Sequence, residues 1–258
     1  MRYFIQLAYK GTDFHGWQNQ PNGVSVQEVL EKTFSTILKQ PITLVGSGRT
    51  DAGVHAEQQF AHFEPVNPRP MDDQFIHAVN CMLPAGIAVQ AIFPVRNDDH
   101  ARFSAVSRYY QYRISRRKQP FLTNLRYVFR AELDVARMNE AAALLLTHTN
   151  YRSFSKVRTN VNHFHCTIKR AEWEERGDDL IFHIKADRFL WGMVRAIVGT
   201  LLDVGQGRLT VAQFNEIILA QDRTKAGRAA PPEGLFLVEV GYPDAVFAGR
   251  EAQKAGRG

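Results

Sequence analysis

The segment from Gly46 to Ala56 contains the residues of this chain that are best suited to chemistry. Asp51 stands there among small residues, with Arg49 two positions before it and His55 four positions after it. Glycines at 46, 48 and 53 allow tight turns and the close approach of a backbone or ligand. Asp51 could cap a turn or pair with Arg49, or the loop could present it as a nucleophile. The spacing alone does not decide between these two interpretations.

Motifs of other reaction classes are missing from the sequence. The glycine-rich segment lacks the Gly-Lys-Ser/Thr ending of a nucleotide-binding loop and the three-glycine spacing of a dinucleotide fingerprint. No Gly-x-Ser-x-Gly elbow of a serine hydrolase occurs, and no second Asp or Glu stands in a loop like that of Asp51. His163, His165 and Cys166 cluster without the paired spacing of a zinc site, so we expect no metal.

A single carboxylate can still attack an electrophilic carbon and form a covalent adduct. It must be ionised to do so, and a neighbouring arginine favours the charged form. Arg49 is the local candidate for that partner. Arg195 is a second candidate, because it interrupts a strongly apolar helical pattern where an unpaired buried cation would be costly. Arg195 could instead reach solvent from the edge of the helix, and the pattern leaves both options open.

Length and composition set outer bounds on the fold and the location. The 258 residues, 45% of them hydrophobic, suffice for one large domain or two joined halves. No apolar run approaches the roughly 20 residues of a membrane span, and the first residues lack a signal-peptide layout. Cys81 and Cys166 are too few for a disulfide framework. We therefore expect a protein of the reducing cytoplasm that does not enter a membrane.

The formal net charge of +6 indicates a partner of negative charge. The first basic set comprises Arg102, Arg108, Arg113, Arg116, Arg117, Lys118, Arg126 and Arg130. The aromatic residues within it are Tyr109, Tyr110, Tyr112, Phe121, Tyr127 and Phe129. A second set comprises Lys156, Arg158, Lys169 and Arg170. Arginines among aromatic residues are typical of a nucleic-acid surface, but a strand with charged outer and aromatic inner faces explains them equally well.

Regular elements flank the Asp51 segment. Alternation over Tyr3–Tyr9 predicts a half-buried strand. Ser25 and Glu28 form a capping-box pattern ahead of an apolar helical stripe that Pro41 ends. A short strand over 42–45 and another over 59–63 should therefore hold the segment at both ends. A second helix over 75–83 and a strand over 87–95 complete this part of the chain.

The rest of the chain repeats this rhythm. Strands are predicted over 108–114, 168–174 and 180–184, with the last two joined by a hairpin turn at Gly177-Asp178-Asp179. Helices are predicted around 138–146, from Met193 onward, and after a Thr210/Gln213 capping box. A final strand spans 234–242, and the tail from Ala245 should fray. We predict an α/β fold of the α+β type, with a mixed, largely antiparallel sheet flanked by helices, in halves 1–105 and 106–258.

Several segments together resemble the tRNA pseudouridine synthase A family. The segment Gly48–His55 is similar to the family signature, and Tyr9–Gln18 is similar to its opening strand and loop. Ala101–Ala105 followed by Arg108, Tyr110 and Tyr112 resembles the central strand. Met193–Gly199 resembles a third motif, and Asp222–Thr224 with Glu233–Leu235 resembles the closing region. The segments follow the family order to about residue 242.

The resemblance implies a pseudouridine synthase fold with the active-site cleft between the two halves. It implies isomerisation of uridine at positions 38–40 of the tRNA anticodon stem-loop, without metal or cofactor, by a homodimer. Asp51 would be the nucleophile, and Arg195 the arginine that pairs with it. Tyr110, rather than its neighbour Tyr109, would occupy the active-site tyrosine position. Arg49 would be associated with displacing the target base.

Two segments depart from the family pattern. Cys166 stands in the region 160–167 where an arginine is common, and Trp191-Gly192 precedes Met193 where polar residues or histidine can occur. The sequence also leaves open whether Asp51 attacks the base or the ribose. A non-catalytic RNA-binding protein and a carboxylate-dependent hydrolase remain alternatives. Incubation with unmodified tRNA separates the three, since the product is pseudouridine, free uracil or neither.

Overall fold

The computed structural model describes residues 1–156 and 163–255, with only the backbone described from residue 252 onward. Arg158 and residues 160–162 of the segment discussed above lie outside the described residues. In chain order the strands and helices are β1 (Arg2–Tyr9), α1 (Val26–Leu38), β2 (Val45–Gly46), β3 (His55–Phe63), α2 (Asp73–Met82), β4 (Ile87–Val95), β5 (Ser107–Ser115), β6 (Tyr127–Val128), α3 (Val135–Leu144), β7 (Ile168–Arg176), β8 (Asp179–Ala186), α4 (Met193–Gly205), α5 (Val211–Ala220), β9 (Leu235–Gly241) and α6 (Ala248–Ala255).

The chain packs as two compact units. Unit 1 comprises Met1–Val106 together with Leu237–Gly258, and unit 2 comprises Ser107–Phe236. The halves 1–105 and 106–258 stay a prediction. In the packing, the residues from Leu237 onward group with the first part of the chain. Unit 1 is therefore discontinuous in sequence.

In unit 1, β1 lies between β3 and β4 and is antiparallel to both. Tyr3 faces Phe63 across the ladder with β3, and the two rings stack with centroids 5.7 Å apart. Phe34 of α1 meets the same Phe63 ring edge-on at 5.4 Å, which places α1 over this face of the sheet. The apolar residues at alternate positions of β1 thus bury against helices, as the alternation predicted.

The opposite face of β1 is buried as well. Phe4 contacts Phe93 and Tyr242, with ring centroids at 6.1 and 5.5 Å, and Phe60 contacts Tyr242 at 5.2 Å. The Tyr242 hydroxyl donates to the Ala101 carbonyl. Residues from the end of the chain therefore cover a face that the alternation alone left to solvent, and β1 is buried on both sides.

Capping residues set the helix boundaries where the sequence placed them. The Ser25 hydroxyl accepts a hydrogen bond from the Glu28 amide at 3.1 Å at the start of α1. α1 ends at Leu38, and Lys39 follows in the left-handed conformation with φ 54°. In unit 2, Thr210 and Gln213 form the full reciprocal capping box at the start of α5.

Unit 2 has an antiparallel β5–β8–β7 sheet, with the short β6 parallel to β5. The turn between β7 and β8 lies at Gly177-Asp178, and Gly177 has φ +60°, so the predicted hairpin forms. α4 packs apolar residues on nearly all its sides, because ten of its thirteen residues are buried. The mixed, mostly antiparallel sheet flanked by helices confirms the predicted fold class.

The C-terminal tail has regular secondary structure in the residues that the structure describes, and its fraying stays a prediction. Residues Asp244–Phe247 form a 3₁₀ turn and α6 follows it. Arg250 donates to the Gln6 side chain at 2.9 Å, and a Cβ on Gly249 would lie 2.1 Å from the Pro94 carbonyl oxygen. The tail therefore packs closely on β1 and β4. Within the described ranges, no helix combines the length and apolar character required to cross a membrane.

Candidate active site

The Asp51 loop runs from Ser47 to Val54 between β2 and β3, and its side chains divide by direction. Ser47, Thr50 and Val54 are buried, whereas Arg49 is exposed and Asp51 is half-buried. The Ser47 amide donates to the Phe60 carbonyl at 2.7 Å, which anchors the start of the loop to β3. The loop is thus anchored to β3, and Asp51 and Arg49 are less buried than the loop residues Ser47, Thr50 and Val54.

The segment after β1 supports the middle of this loop. The Tyr9 hydroxyl and Thr50 Oγ1 share a buried hydrogen bond of 2.8 Å. The Trp17 amide donates to the Thr50 carbonyl at 3.2 Å, and the Gly53 amide donates to the Phe14 carbonyl at 3.3 Å. Asp51 therefore lies between two backbone attachments, which restrict where its carboxylate can go.

Two glycines make this close packing possible. Gly16 has φ +82°, and a Cβ there would lie 2.4 Å from the Thr50 carbonyl oxygen. Gly53 has φ +79°, a conformation that residues with a side chain adopt at a cost. By contrast, a Cβ on Gly48 would meet nothing within 4 Å, so the loop is open at that point. The glycines of the signature segment therefore serve different purposes.

His55 supports the fold beneath the loop. Its ring is 1% exposed, and its Nδ1 accepts a hydrogen bond from the Gly11 amide at 3.0 Å. Nδ1 is consequently unprotonated while this bond exists. The contact joins the start of β3 to the segment after β1, so His55 helps to position the loop that precedes it.

β5 separates the two neighbouring tyrosines onto opposite faces. The Tyr109 hydroxyl hydrogen-bonds His183 Nδ1 of β8 at 2.5 Å, and the two rings stack. Tyr110 points the other way and meets Phe189 edge-to-face, with centroids 5.2 Å apart. This geometry follows from the two-residue period of a strand. Phe189 was not singled out in the sequence, since nothing in its spacing indicates a contact with Tyr110.

Tyr112 shares the face of β5 that carries Tyr110, and it is fully buried. Its hydroxyl donates to the Pro231 carbonyl at 2.8 Å. Burial raises the pKa of Tyr112, Glu233 and Tyr127 add to this, and the positive charge of Arg195 opposes it. Arg195 is therefore close enough to act electrostatically on the face of β5 that presents Tyr110.

Arg195 lies in the first turn of α4 and is half-buried. Its Nε donates to the Ala230 carbonyl at 2.7 Å, and the Ala230 amide donates back to the Arg195 carbonyl at 2.9 Å. The guanidinium is thus fixed through its Nε by the main chain of Ala230. Simple extension of the side chain into solvent does not describe this arrangement. Nothing in the sequence indicated Ala230, because its contribution is a main-chain carbonyl.

Much of the first basic set is neutralised within unit 2. Arg116 pairs with Glu175 at 2.6 Å, Arg117 with Asp178 at 3.3 Å and Arg126 with Asp179 at 3.1 Å. The three carboxylates come from the β7–β8 hairpin. The aromatic residues of this set also divide, because Tyr112 is buried whereas Phe121 is 98% exposed. The ion pairs and the burial of Tyr112 agree with the strand interpretation for these residues, and a nucleic-acid contact of the others stays a prediction.

The histidine and cysteine cluster has no metal-binding geometry in the part of the chain that the structure describes. No three His, Cys, Asp or Glu side chains come together there as a ligand set. Cys166 is buried, and burial raises the pKa of its thiol to about 12. The thiolate that would bind a metal is therefore disfavoured. His163 instead accepts a hydrogen bond from Arg188 Nη1 at 3.1 Å.

The predicted site residues thus form two local groups. Asp51 and Arg49 share the supported loop of unit 1. Tyr110 and Arg195 belong to unit 2, where both are placed by main-chain or ring contacts. These groups provide one carboxylate, two guanidinium groups and a phenol. The group of unit 1 suits nucleophilic attack by its carboxylate, and the group of unit 2 suits recognition of an anionic, ring-containing substrate.

Comparison with known proteins gives a consistent result. A family model described as tRNA pseudouridine synthase matches residues 6–104 and 141–243. The first range includes Asp51 and Arg49 and the second includes Arg195, whereas Tyr110 lies between the two ranges. The match covers most of the chain.

Proteins named tRNA pseudouridine synthase A are similar over nearly the whole length. The Bacteroides thetaiotaomicron protein is 49% identical over 251 residues, covering 96% of this chain and 93% of that protein. The Parabacteroides distasonis protein is 47% identical over 246 residues, covering 95% and 98%. The Exiguobacterium sibiricum protein is 39% identical over 246 residues, covering 94% and 97%.

Proposed function

This chain belongs to the tRNA pseudouridine synthase family and is an isomerase that acts on uridine in tRNA; we propose that it acts at positions 38, 39 and 40 of the anticodon stem-loop. The reaction breaks the bond between N1 of uracil and C1′ of ribose, and forms a bond from C5 of the same base to C1′. The C5 proton leaves and N1 gains a proton. Atoms and electrons therefore balance without a co-reactant.

The position of the half-buried Asp51 on a supported loop is the observation that carries the proposed mechanism. Its neighbours Ser47, Thr50 and Val54 are buried, and backbone hydrogen bonds from Trp17 and Gly53 attach the loop. A nucleophile held in this way loses little freedom when substrate binds, which is how positioning lowers a barrier. Asp51 attacks carbon and forms a covalent adduct, either with the base or with the ribose.

The other site residues bind and orient the substrate in this proposal. Arg195 supplies the positive charge that keeps the catalytic carboxylate ionised. Tyr110 stacks on the uracil and assists removal of the C5 proton. The target base must leave the stem-loop stack at a cost of about a few kcal/mol, and Arg49 occupies the space that it vacates. The family resemblance supports these roles, and the ring and carbonyl contacts of Tyr110 and Arg195 are compatible with them.

The setting of the reaction is proposed on the same basis. The enzyme works on tRNA in the cytoplasm as a homodimer, and the basic strip 108–130 contacts phosphates. Binding to tRNA should then weaken steeply as salt concentration rises. Sedimentation of the purified protein tests the dimer independently of the chemistry.

Replacement of Asp51 by Asn tests the mechanism directly. Unmodified tRNA labelled with tritium at C5 of uridine should release tritium with the wild-type protein, because the C5 proton leaves during isomerisation. Asp51→Asn should bind the same tRNA but release no tritium. Chromatography of the nucleosides then identifies the product, since pseudouridine and uridine have equal mass.

Asp98→Asn is the matched control, because Asp98 is an exposed carboxylate of unit 1 outside the loop. This variant should retain full activity. Substantial pseudouridine from Asp51→Asn would contradict the assignment of the nucleophile. Free uracil from the wild-type protein would indicate a hydrolase, and tRNA binding without either product would indicate an RNA-binding protein.

A further inference from the structure

Trp191 is a half-exposed aromatic residue in the loop that leads into α4. Its side chain is 50% exposed, whereas Trp17 and Trp173, the other tryptophans, are 1% and 5% exposed. Leaving so large a ring in water forgoes the gain from burial. The backbone at Trp191 is held in place, because the Trp191 carbonyl accepts a hydrogen bond from the Lys156 amide at 2.9 Å.

One cation lies over this ring, and two others contact the rings of Phe164 and His163. Lys156 Nζ lies 3.8 Å from the Trp191 ring centroid, and Arg152 lies over the Phe164 ring at 5.3 Å. Arg188 Nη1 donates to His163 at 3.1 Å. In the described part of the chain, these contacts of Arg152, Lys156 and Arg188 are with rings, unlike the carboxylate pairs of Arg116, Arg117 and Arg126. Lys156 and Arg188 therefore keep their positive charge available to an anionic partner, whereas the charge of Arg152 also acts on the Asp222 carboxylate.

The position of Trp191 connects this surface to the site residues of unit 2. Phe189, two residues earlier, contacts Tyr110, and Met193, two residues later, begins the helix that carries Arg195. Two residues of extended chain span at most about 7 Å. Trp191 therefore lies within a short distance of the residue that contacts Tyr110.

We propose that Trp191 stacks on the tRNA nucleotide next to the target uridine, while Lys156, Arg152 and Arg188 contact the adjoining phosphates. Extrusion of the target base leaves a neighbouring base with one uncovered face. An aromatic ring replaces that lost stacking for any base, and the surrounding cations follow the backbone. This inference rests on the proposed function, because it takes tRNA as the ligand.

Fluorescence tests the stacking contact. Acrylamide should quench a component of the wild-type emission that is missing in Trp191→Phe, because the other two tryptophans are buried. Saturating unmodified anticodon stem-loop RNA should protect that component in the wild-type protein. A Trp191 component that stays fully quenchable in the saturated complex would overturn the inference.

Affinity measurements test how much Trp191 contributes to RNA binding. Trp191→Ala should weaken binding of the stem-loop RNA about tenfold or more, whereas Trp191→Phe should retain most of the affinity. Leu219→Ala is the matched control, since Leu219 is 60% exposed on α5 and its loss should leave binding unchanged. Circular dichroism and urea unfolding verify that each variant folds. Equal affinities for Trp191→Ala and Leu219→Ala would contradict the proposal.

Salt dependence tests the phosphate contact of Lys156. Lys156→Met keeps an apolar stem over the ring and should reduce the slope of log K against log salt by about 0.7. Lys32→Met, which removes an exposed charge on α1, should leave the slope unchanged. An unaltered slope in Lys156→Met would contradict the proposed contact between Lys156 and a phosphate.

Tritium release by the wild-type protein separates this inference from the proposed function. Isomerisation without protection of Trp191 would overturn the inference and leave the function standing. Protection without isomerisation would support the RNA contact and contradict the function. Protection that rises with protein concentration in the absence of RNA would instead show that a second copy covers Trp191, and would overturn the proposal.

Discussion

Arg195 and Ala230 are joined by two hydrogen bonds in opposite directions. The Arg195 side chain donates through Nε at 2.7 Å, and the Ala230 amide returns a bond to the Arg195 carbonyl at 2.9 Å. The segment that carries Ala230 packs closely on α4, because a Cβ on Gly199 would lie 1.7 Å from the Arg228 carbonyl oxygen. The guanidinium thus has its direction set by the main chain before any substrate arrives.

Arg195→Lys should lower the rate of isomerisation about tenfold or more while leaving the fold intact. The planar guanidinium of Arg195 contacts Ala230 through Nε and still presents its two terminal nitrogens, an arrangement that the compact ammonium of a lysine cannot reproduce. Single-turnover tritium release measures the effect. Arg208→Lys is the control, since Arg208 is exposed and pairs with Asp203 at 3.4 Å. Wild-type rates in Arg195→Lys would show that charge alone is sufficient.

Tyr110→Phe and Tyr109→Phe should have opposite consequences. Loss of the Tyr110 hydroxyl should slow isomerisation, because that phenol faces the side of β5 on which Arg195 acts. Loss of the Tyr109 hydroxyl should leave the rate unchanged but remove the hydrogen bond to His183. Parallel single-turnover rates and urea midpoints distinguish the two. A slow Tyr109→Phe beside an active Tyr110→Phe would reverse the assignment.

Gly16→Ala should reduce both stability and activity. The substitution adds a Cβ 2.4 Å from the Thr50 carbonyl oxygen, so the Asp51 loop must shift. Gly177→Ala has a similarly positive φ but meets nothing within 4 Å, and it should cost only about 1 kcal/mol in the free energy of unfolding. Urea unfolding and tritium release of both variants provide the measurement. If both variants retained full activity, Gly16 would have no role in positioning Asp51.

His62 should make the protein less stable in mild acid. Burial, followed by the charges of Arg2 and His100, lowers its pKa from 6.5 to about 4, and Nδ1 accepts from the Ala101 amide at 3.1 Å. Between these pH values the unfolded chain binds a proton that the folded chain excludes. The free energy of unfolding should therefore fall by about 1.4 kcal/mol per pH unit from pH 6.5 down to about pH 4, with no effect above 6.5.

His62→Asn isolates this contribution, because its amide oxygen can still accept from Ala101 but does not titrate. Urea midpoints of both proteins are measured at pH 7, 5.5 and 4.5. On acidification the wild-type protein should lose more stability than the variant. Parallel pH dependence in the two proteins would show that other groups cause it.

Local patterns predicted much of this structure, and distant contacts account for the remainder. The Ser25 cap, the Thr210 box and the turn at Gly177 depend on neighbours within a few residues, so the sequence contains their full signal. The second buried face of β1 depends on Tyr242, which no short-range pattern connects to Phe4. Alternation therefore predicted the strand correctly but underestimated its burial.

The site residues follow the same division. The residue types around Asp51 and their resemblance to a known family located the loop, and Asp51 is half-buried there between buried neighbours. The Ala230 carbonyl and the Phe189 ring were not predicted, because a main-chain acceptor has no residue signature and an edge contact has no fixed spacing. Those partners decide the orientation of Arg195 and Tyr110.

The division of unit 1 between the two ends of the chain has a consequence for biosynthesis. Tyr242 and Phe247 complete the aromatic cluster around Phe4 and Phe60, and both are translated after all of unit 2. A nascent chain on the ribosome therefore has every residue of unit 2 before unit 1 can close its core. Until residues 242–247 emerge, Phe4 and Phe60 lack their cover, and this interval is when the growing chain most needs a chaperone.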